Sequence, residues 1–380
     1  MEDKESLVDF KFWGESRSVR VAMLAREKTL NSLLLETIDN LYTKINDWNQ
    51  DDSVKCIILD SSSSRAFCAG ADVVRLQREI LQSSGNNRDY ADSFFSHEYR
   101  LDYLIRVIKK PIICWGSGIV MGGGLGLLSG CSHRLGTVST KLAMPEITIG
   151  LFPDAGGTKF LADLPDQLGW FLGLTGCHLT SRDGLAFGLL DIIVDEGKKE
   201  EIFDSVCNIE WADDSSENLE KVSSVLQKFE VEAEDSNDLF THRFEVAGLI
   251  KECLSAEDFL REFEKRLPNL SSDDWMSAAK DNYLGGSPTT ARIFQEQMFR
   301  AKDKKLADIF RMELTIAYHC SRESDFVEGV RALLVDKDRS PSWEFSSFAE
   351  VPKEYIEKFF ESPWGDSNPL KDLEKIYLVD

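Results

Sequence analysis

Between Pro111 and Cys131 the chain carries no charged side chain, and seven of those 21 residues are glycine. Few folds accept such a run. An uncharged stretch of this length is buried either in a membrane or in protein. Seven glycines and an opening proline make a poor membrane helix. The run therefore reads as a buried strand, a tight turn and a buried helix. The triplet Gly122-Gly123-Gly124 lies within it. Downstream, in AMPEITIGLFPDAGG, Glu146 follows Pro145 and Asp154 follows Pro153. Glycines let backbone N–H groups approach a ligand, and paired acids do proton or nucleophile chemistry. Together they suggest an oxyanion-binding backbone facing one or two catalytic carboxylates.

The flanking sequence supplies the fold class. Val19–Ala25 reads as a strand. Residues 30–48 set Leu30, Leu34, Ile38, Leu41, Ile45 and Trp48 at steps of three or four, the stripe of an amphipathic helix. Val54–Asp60 is a compact apolar strand, and a polar SSSSR turn leads from it to AFCAGAD at 66–72. Strand, helix, strand with short connections is a β-α-β unit. The pattern returns with a helix over 90–108, a strand after Pro111, an apolar helix over 168–176 and a strand at 191–195. After about residue 197 strand candidates become few, and Ser287-Pro288 marks an N-cap followed by proline at the first helical position. The expectation is an α/β core over residues 1–200 and a helical region over 201–380. The acidic stretch 210–238 reads as a mobile connection or as a solvated helix surface.

Charge narrows the partners. Forty-four basic and 66 acidic residues give a net charge of −22, which repels nucleic acid and anionic membranes, so neither is expected as a partner. An anionic ligand of the CoA type needs a local basic pocket. The eight cysteines show no Cys-x-x-Cys spacing, and several sit in apolar runs, which suits a reducing compartment. The opening MEDKESLVDFKF lacks the apolar core of a secretory signal and does not read as a transit peptide.

Several familiar motifs fail. Gly116 and Gly118 begin a Gly-x-Gly-x-x-Gly loop, but its third glycine position is Met121. No phosphate-binding Gly-x-x-x-x-Gly-Lys-Ser/Thr occurs, and no Gly-x-Ser-x-Gly elbow. The five histidines have no metal-ligand spacing, so no metal is expected. What remains is a pair of small-residue turns. Two N–H donors from separate loops form an oxyanion hole, and the Ala71 N–H and Gly123 N–H are that candidate pair.

AFCAGAD, GIVMGGGLGL and AMPEITIGLFPDAGG resemble the crotonase (enoyl-CoA hydratase/isomerase) superfamily. The C-terminal DFVEGVRALLVDKDRSPSW, the SPTT at 287–290 and the MPE…FPD pair narrow the resemblance to its 3-hydroxyisobutyryl-CoA hydrolase branch. The resemblance implies a spiral of β-β-α turns followed by a C-terminal helical region. It implies an acyl-CoA thioester substrate whose carbonyl is held by the Ala71 and Gly123 N–H groups. Glu98 matches the substrate-binding glutamate, and Glu146 and Asp154 match the two catalytic acids, all of them lining the substrate site with Gly123. Lys28 and Asn31 fall where family members line the CoA site. CoA is then part of the substrate, and no cofactor is expected.

One position separates the chemistries. Superfamily hydratases place the first of two glutamates just after the glycine triplet, where this chain has Gly126, and they usually have glycine where it has Asp154. Both differences favour thioester hydrolysis. An enoyl-CoA hydratase or isomerase and a non-catalytic scaffold subunit stay as alternatives. A homo-oligomer is compatible with the resemblance. The implied compartment is the cytoplasm for a bacterial source and the mitochondrial matrix for a eukaryotic one.

Overall fold

The computed structural model describes residues 6–15, 17–84, 87–232 and 238–376. Its strands are β1 (Val8–Trp13), β2 (Val19–Leu24), β3 (Cys56–Ser61), β4 (Ala66–Cys68), β5 (Ile112–Gly116), β6 (Ile119–Met121), β7 (His133–Gly136), β8 (Lys141–Ala143), β9 (Leu179–Thr180) and β10 (Ile192–Ile193). They form two sheets, β1-β2-β3-β5-β7-β10 and β4-β6-β8-β9. The helices of this half are α1 (Leu35–Gln50), α2 (Val73–Gln82), α3 (Asp89–Val107), α4 (Gly123–Gly130), α5 (Gly157–Ala162), α6 (Leu168–Thr175) and α7 (Ser181–Ala186).

Each turn of the spiral places one strand in each sheet before a helix. β3, β5 and β7 lie parallel in the first sheet, and β4, β6 and β8 are joined in sequence by parallel pairing in the second. The uncharged run therefore holds two short strands, not one. The chain changes sheets at Gly118, whose φ of +66° and contact with Arg65 leave no place for a side chain. In the first sheet the parallel strands β3 and β5 are buried on both faces, as parallel strands require, while the antiparallel edge strand β1 is largely open to solvent. Along β3, Ile57 and Leu59 point into the main core, while Cys56 and Ile58 join a second core with Phe203 and Val222.

Two expectations change. Residues 30–34 are not helical, and α1 begins at Leu35. Leu30 and Asn31 have φ of +54° and +56°, and Leu33 then bridges to Ala71, so the chain is extended there. The strand β1 had no counterpart in the sequence reading. In the acidic stretch, Ser215–Leu226 is a helix, so the helix-surface reading holds there, while 233–237 lie outside the described residues.

Beyond residue 198 the chain runs α8 (Lys199–Cys207), α9 (Ser215–Leu226), α10 (Leu239–Leu254), α11 (Phe259–Arg266), α12 (Asp274–Gly285), α13 (Pro288–Ala301), α14 (Leu306–Cys320), α15 (Ser324–Val330), α16 (Lys353–Glu357) and α17 (Leu373–Ile376). As expected from Ser287-Pro288, the Ser287 hydroxyl caps α13 by accepting from the Thr290 N–H. The apolar faces of α10 to α15 share one core with α3, α4 and α6. Each large side chain buried there contributes about 1.5–3 kcal/mol. No helix among the described residues is long and apolar enough to cross a membrane.

Candidate active site

Parallel pairing of β4 with β6 brings two turns side by side. Cys68 lies opposite Val120, so residues 69–71 and 122–124 leave the sheet together. A Cβ on Gly70 would stand 3.0 Å from the Met121 carbonyl oxygen and 3.3 Å from the Gly123 nitrogen. Leu33 N–H donates to the Gly70 oxygen and Asp72 N–H donates to the Leu33 oxygen, both at 2.8 Å. Ala71 sits between these two bonds, so its own N–H turns away from Leu33. Gly123 opens α4, where the first N–H groups have no intrahelical acceptor. The two expected donors thus come from adjoining backbone turns, and both residues line one cavity.

The glycine triplet also admits the acids. A Cβ on Gly122 would lie 3.0 Å from Glu146 Oε1, and one on Gly123 would overlap Glu98 Oε1. At Gly124 it would overlap the Cys68 carbonyl oxygen. Each glycine is needed for close approach, not only for a turn.

The cavity, of about 210 Å³, is lined by Ala71, Glu98, Gly123, Glu146 and Asp154 together. Five positions singled out in the sequence, spread over more than eighty residues, converge there. Lys28 is exposed on the 3-10 turn Glu27–Thr29. Asn31 takes a different part from the one expected. It is buried, and its amide donates to the Ser61 hydroxyl and to the Ala66 and Phe67 carbonyls, while its oxygen accepts from the Arg26 N–H. With its oxygen on Arg26 of its own turn and its donors on the β3–β4 segment, Asn31 ties the turn to the neighbouring strands.

The acids come from three elements. Glu98 lies on α3. Glu146 opens the 3-10 turn Glu146–Ile149. Asp154 precedes α5 and accepts a hydrogen bond from the Tyr99 hydroxyl at 2.7 Å. All three are buried, and Glu98 Oε1 and Glu146 Oε2 have no protein hydrogen-bond partner among the described residues. Burial raises the Asp154 pKa to about 6, against the Tyr99 hydrogen bond, which holds it down. Burial, and then the charge of Asp154, push Glu146 well above the carboxylate range. Burial does the same to Glu98, followed by Asp154, Asp102, Glu146 and Glu313. Burial and the Asp154 charge thus favour the protonated form of Glu146.

Helices of the C-terminal half brace this wall. Ser287 N–H donates to the Ile147 oxygen at 3.0 Å, and Gly150 and Gly329 pack backbone to backbone against Asp325 and Ile149. Gln297 on α13 donates to the Pro153 oxygen at 2.7 Å. Glu313 on α14 accepts from the Gly156 and Thr158 N–H groups at 2.9 and 3.0 Å. Leu333 and Leu334, in the turn after α15, line the cavity as well.

Sequence reasoning missed Tyr99, Glu313, Leu333 and Leu334. Tyr99 adjoins Glu98 in HEYRLDYLI, and that adjacency was the one local signal available. Glu313 lies in an ordinary amphipathic helix, and only the tertiary fold brings it to Gly156.

Residues 19–360 match the family model described as enoyl-CoA hydratase/isomerase. The chain belongs to this family. Relatives place it in the family's 3-hydroxyisobutyryl-CoA hydrolase branch. The mitochondrial 3-hydroxyisobutyryl-CoA hydrolase of Homo sapiens is 34% identical over 344 residues, covering 90% of this chain and 86% of that one. The 3-hydroxyisobutyryl-CoA hydrolase 1 of Arabidopsis thaliana is 33% identical, over 91% of this chain and 90% of its own. Among solved structures in the family, a carnitinyl-CoA dehydratase from Mycobacterium thermoresistibile superposes with a TM-score of 0.80. It is 29% identical and covers 93% of this chain and 96% of its own. An enoyl-CoA hydratase from Rhodobacter sphaeroides 2.4.1 also reaches 0.80, at 25% identity, over 96% of this chain and 99% of its own.

Proposed function

We propose that the protein hydrolyses the thioester of 3-hydroxyisobutyryl-CoA, giving 3-hydroxyisobutyrate and CoA, a step of valine catabolism. The observation that carries this reading is the surroundings of Gly126, where the family resemblance sets a hydratase's first glutamate. A Cβ there would stand 2.6 Å from the Ala155 Cβ, 2.9 Å from its oxygen and 3.4 Å from Asp102 Oδ2. A glutamate has no room, so the acids left to face the cavity are Glu98, Glu146 and Asp154. The names of the relatives from Homo sapiens and Arabidopsis thaliana support the same reading.

In this reading the thioester carbonyl oxygen lies between the Ala71 and Gly123 N–H groups, which stabilise the charge it gains on attack. Glu146, beside Gly122, attacks the carbonyl or activates a water. Both roles need it ionised, and burial, followed by the Asp154 charge, opposes that by raising its pKa. Asp154, fixed by Tyr99, orients the β-hydroxyl or takes part in proton transfer, and Glu98 holds the polar end of the acyl group. A cavity of about 210 Å³ falls below the ~300–1,000 Å³ of drug-sized sites. It suits a short branched acyl group, with the CoA moiety extending outside past the turn that carries Lys28, a phosphate contact in this reading. For a eukaryotic source the reading carries with it the mitochondrial matrix, and the Homo sapiens relative is named as a mitochondrial enzyme.

A panel of acyl-CoA esters followed by free thiol tests the proposal. Release of CoA should be fastest from 3-hydroxyisobutyryl-CoA and slower from isobutyryl-CoA, which lacks the hydroxyl. Absence of thiol release from every short acyl ester would sink it.

A further inference from the structure

A second cavity, of about 150 Å³, lies behind the acid wall. Asp102, Arg106, Gly126, Ser129, Ala155 and Lys159 are among its lining residues. At ~30 Å³ of liquid volume per water, it has room for a short file of them. Asp102 is 2% exposed, and neither carboxyl oxygen has a protein hydrogen-bond partner among the described residues. It follows Glu98 by one turn of α3, so the two acids share a face of that helix. Its Oδ2 stands 3.4 Å from the Cβ position of Gly126, the point that Ala155, the neighbour of Asp154, also crowds.

Hydrolysis at the front cavity makes a proton that has to leave. The C–S bond breaks and a C–O bond forms to water oxygen. One proton of that water ends on the CoA sulfur. The other is released, because the product acid ionises near neutral pH. The front cavity is then filled by the acyl group and the CoA thiol.

We infer that Asp102 and the second cavity form the exit by which this proton passes from the acid pair to solvent. The inference rests on the hydrolase reading. The neighbours of Asp102 fit the role. Glu98 faces it from its own helix, Asp154 and Glu313 from the α5 and α14 side, and the Cys131 thiol from the end of α4. Around the cavity, Arg106 donates to the Ser129 oxygen, Arg134 pairs with Asp191, and Lys159 pairs with Asp163. Those cations therefore have partners of their own. Glu313 is closed to the task, because both its oxygens accept backbone N–H groups. Asp102 is the acid in this group that faces the second cavity with both oxygens open. Burial and the Asp154 charge raise its pKa well above the carboxylate range and so favour its protonated form.

The test follows thiol and proton together in a single turnover of 3-hydroxyisobutyryl-CoA, with a pH indicator, for the wild type and Asp102→Asn. In the wild type the two signals should coincide. In Asp102→Asn the proton should lag the thiol, kcat should fall about tenfold or more, and rising imidazole concentration should restore it. Ser129→Leu, which fills the second cavity and leaves the Asp102 carboxyl in the chain, should produce the same lag and supports the route even if Asp102→Asn misfolds. Coincident signals in either folded variant, or a slow rate that imidazole does not change in Asp102→Asn, overturn the exit and leave the hydrolase reading standing. No thiol release by the wild type overturns the hydrolase reading and the exit with it.

Discussion

The two walls of the front cavity are built differently. The donor wall is backbone, two turns at the ends of β4 and β6 held side by side by strand register. The acid wall is side chain: Glu98, Glu146 and Asp154 reach the cavity from separate elements, braced by α13, α14 and α15. A backbone donor has a fixed dipole, which does not titrate. A buried carboxyl changes state with pH, and its neighbours decide where. Damage to the donor wall should therefore lower the rate evenly across pH, while damage to the acid wall should also change the shape of the pH profile.

The largest effect falls on the acid wall. Glu146→Gln removes the group proposed to attack or activate water, and CoA release should fall by about 10²–10⁴-fold, read in a steady-state thiol assay. Next comes the donor wall. Ala71→Pro removes one of the two backbone donors, the Ala71 N–H, without adding a group against an acid, so kcat should fall by about 10²–10³ at every pH. An Ala71→Pro profile that changes shape would blur the distinction between the walls.

The walls also differ in how far the sequence disclosed them. The donor wall was legible because close approach demands small residues at fixed places, and Ala69-Gly70-Ala71 and Gly122-Gly123-Gly124 carry that demand locally. Glu146 and Asp154 stood out because acids are rare in runs as apolar as MPEITIGLFPD. Their surroundings were not legible. Tyr99 lies 55 residues from the Asp154 it bonds, and Glu313 lies 157 residues from the Gly156 N–H it accepts. No local periodicity encodes such contacts. The part Asn31 plays was not legible because polarity at a turn looks the same whether the amide faces a ligand or, as here, the β3–β4 segment packed beside it. The helix start shifted to Leu35 for a related reason: Leu30 and Leu34 fit the apolar stripe, and the left-handed pair that breaks it leaves no mark in a hydrophobic pattern.

Two smaller effects sharpen the comparison. Asp154→Asn removes a charge that raises the Glu146 pKa, so the rising limb of the remaining activity should move to lower pH. A pH–rate profile of kcat checks the direction. Stability should also depend on pH through this wall. Burial raises Asp154 to about 6 and Glu313 to about 8, so the folded state binds these protons more tightly than the unfolded chain. Their contribution is full below the ordinary carboxylate range and is lost as pH rises through about 6 and then about 8. Urea unfolding of the wild type should show this decline. Glu313→Gln should flatten the upper part of it, at a cost of about 1 kcal/mol at low pH from the mismatched backbone N–H.

The most direct measurement sets two rates side by side for the wild-type protein: release of free CoA from 3-hydroxyisobutyryl-CoA and hydration of crotonyl-CoA. With Gly126 crowded by Ala155 and Asp102, and with Glu146 and Asp154 facing the two backbone donors, thiol release should exceed hydration by about a hundredfold or more, the scale of one well-placed acid–base group. Hydration equal to or faster than CoA release would contradict the account.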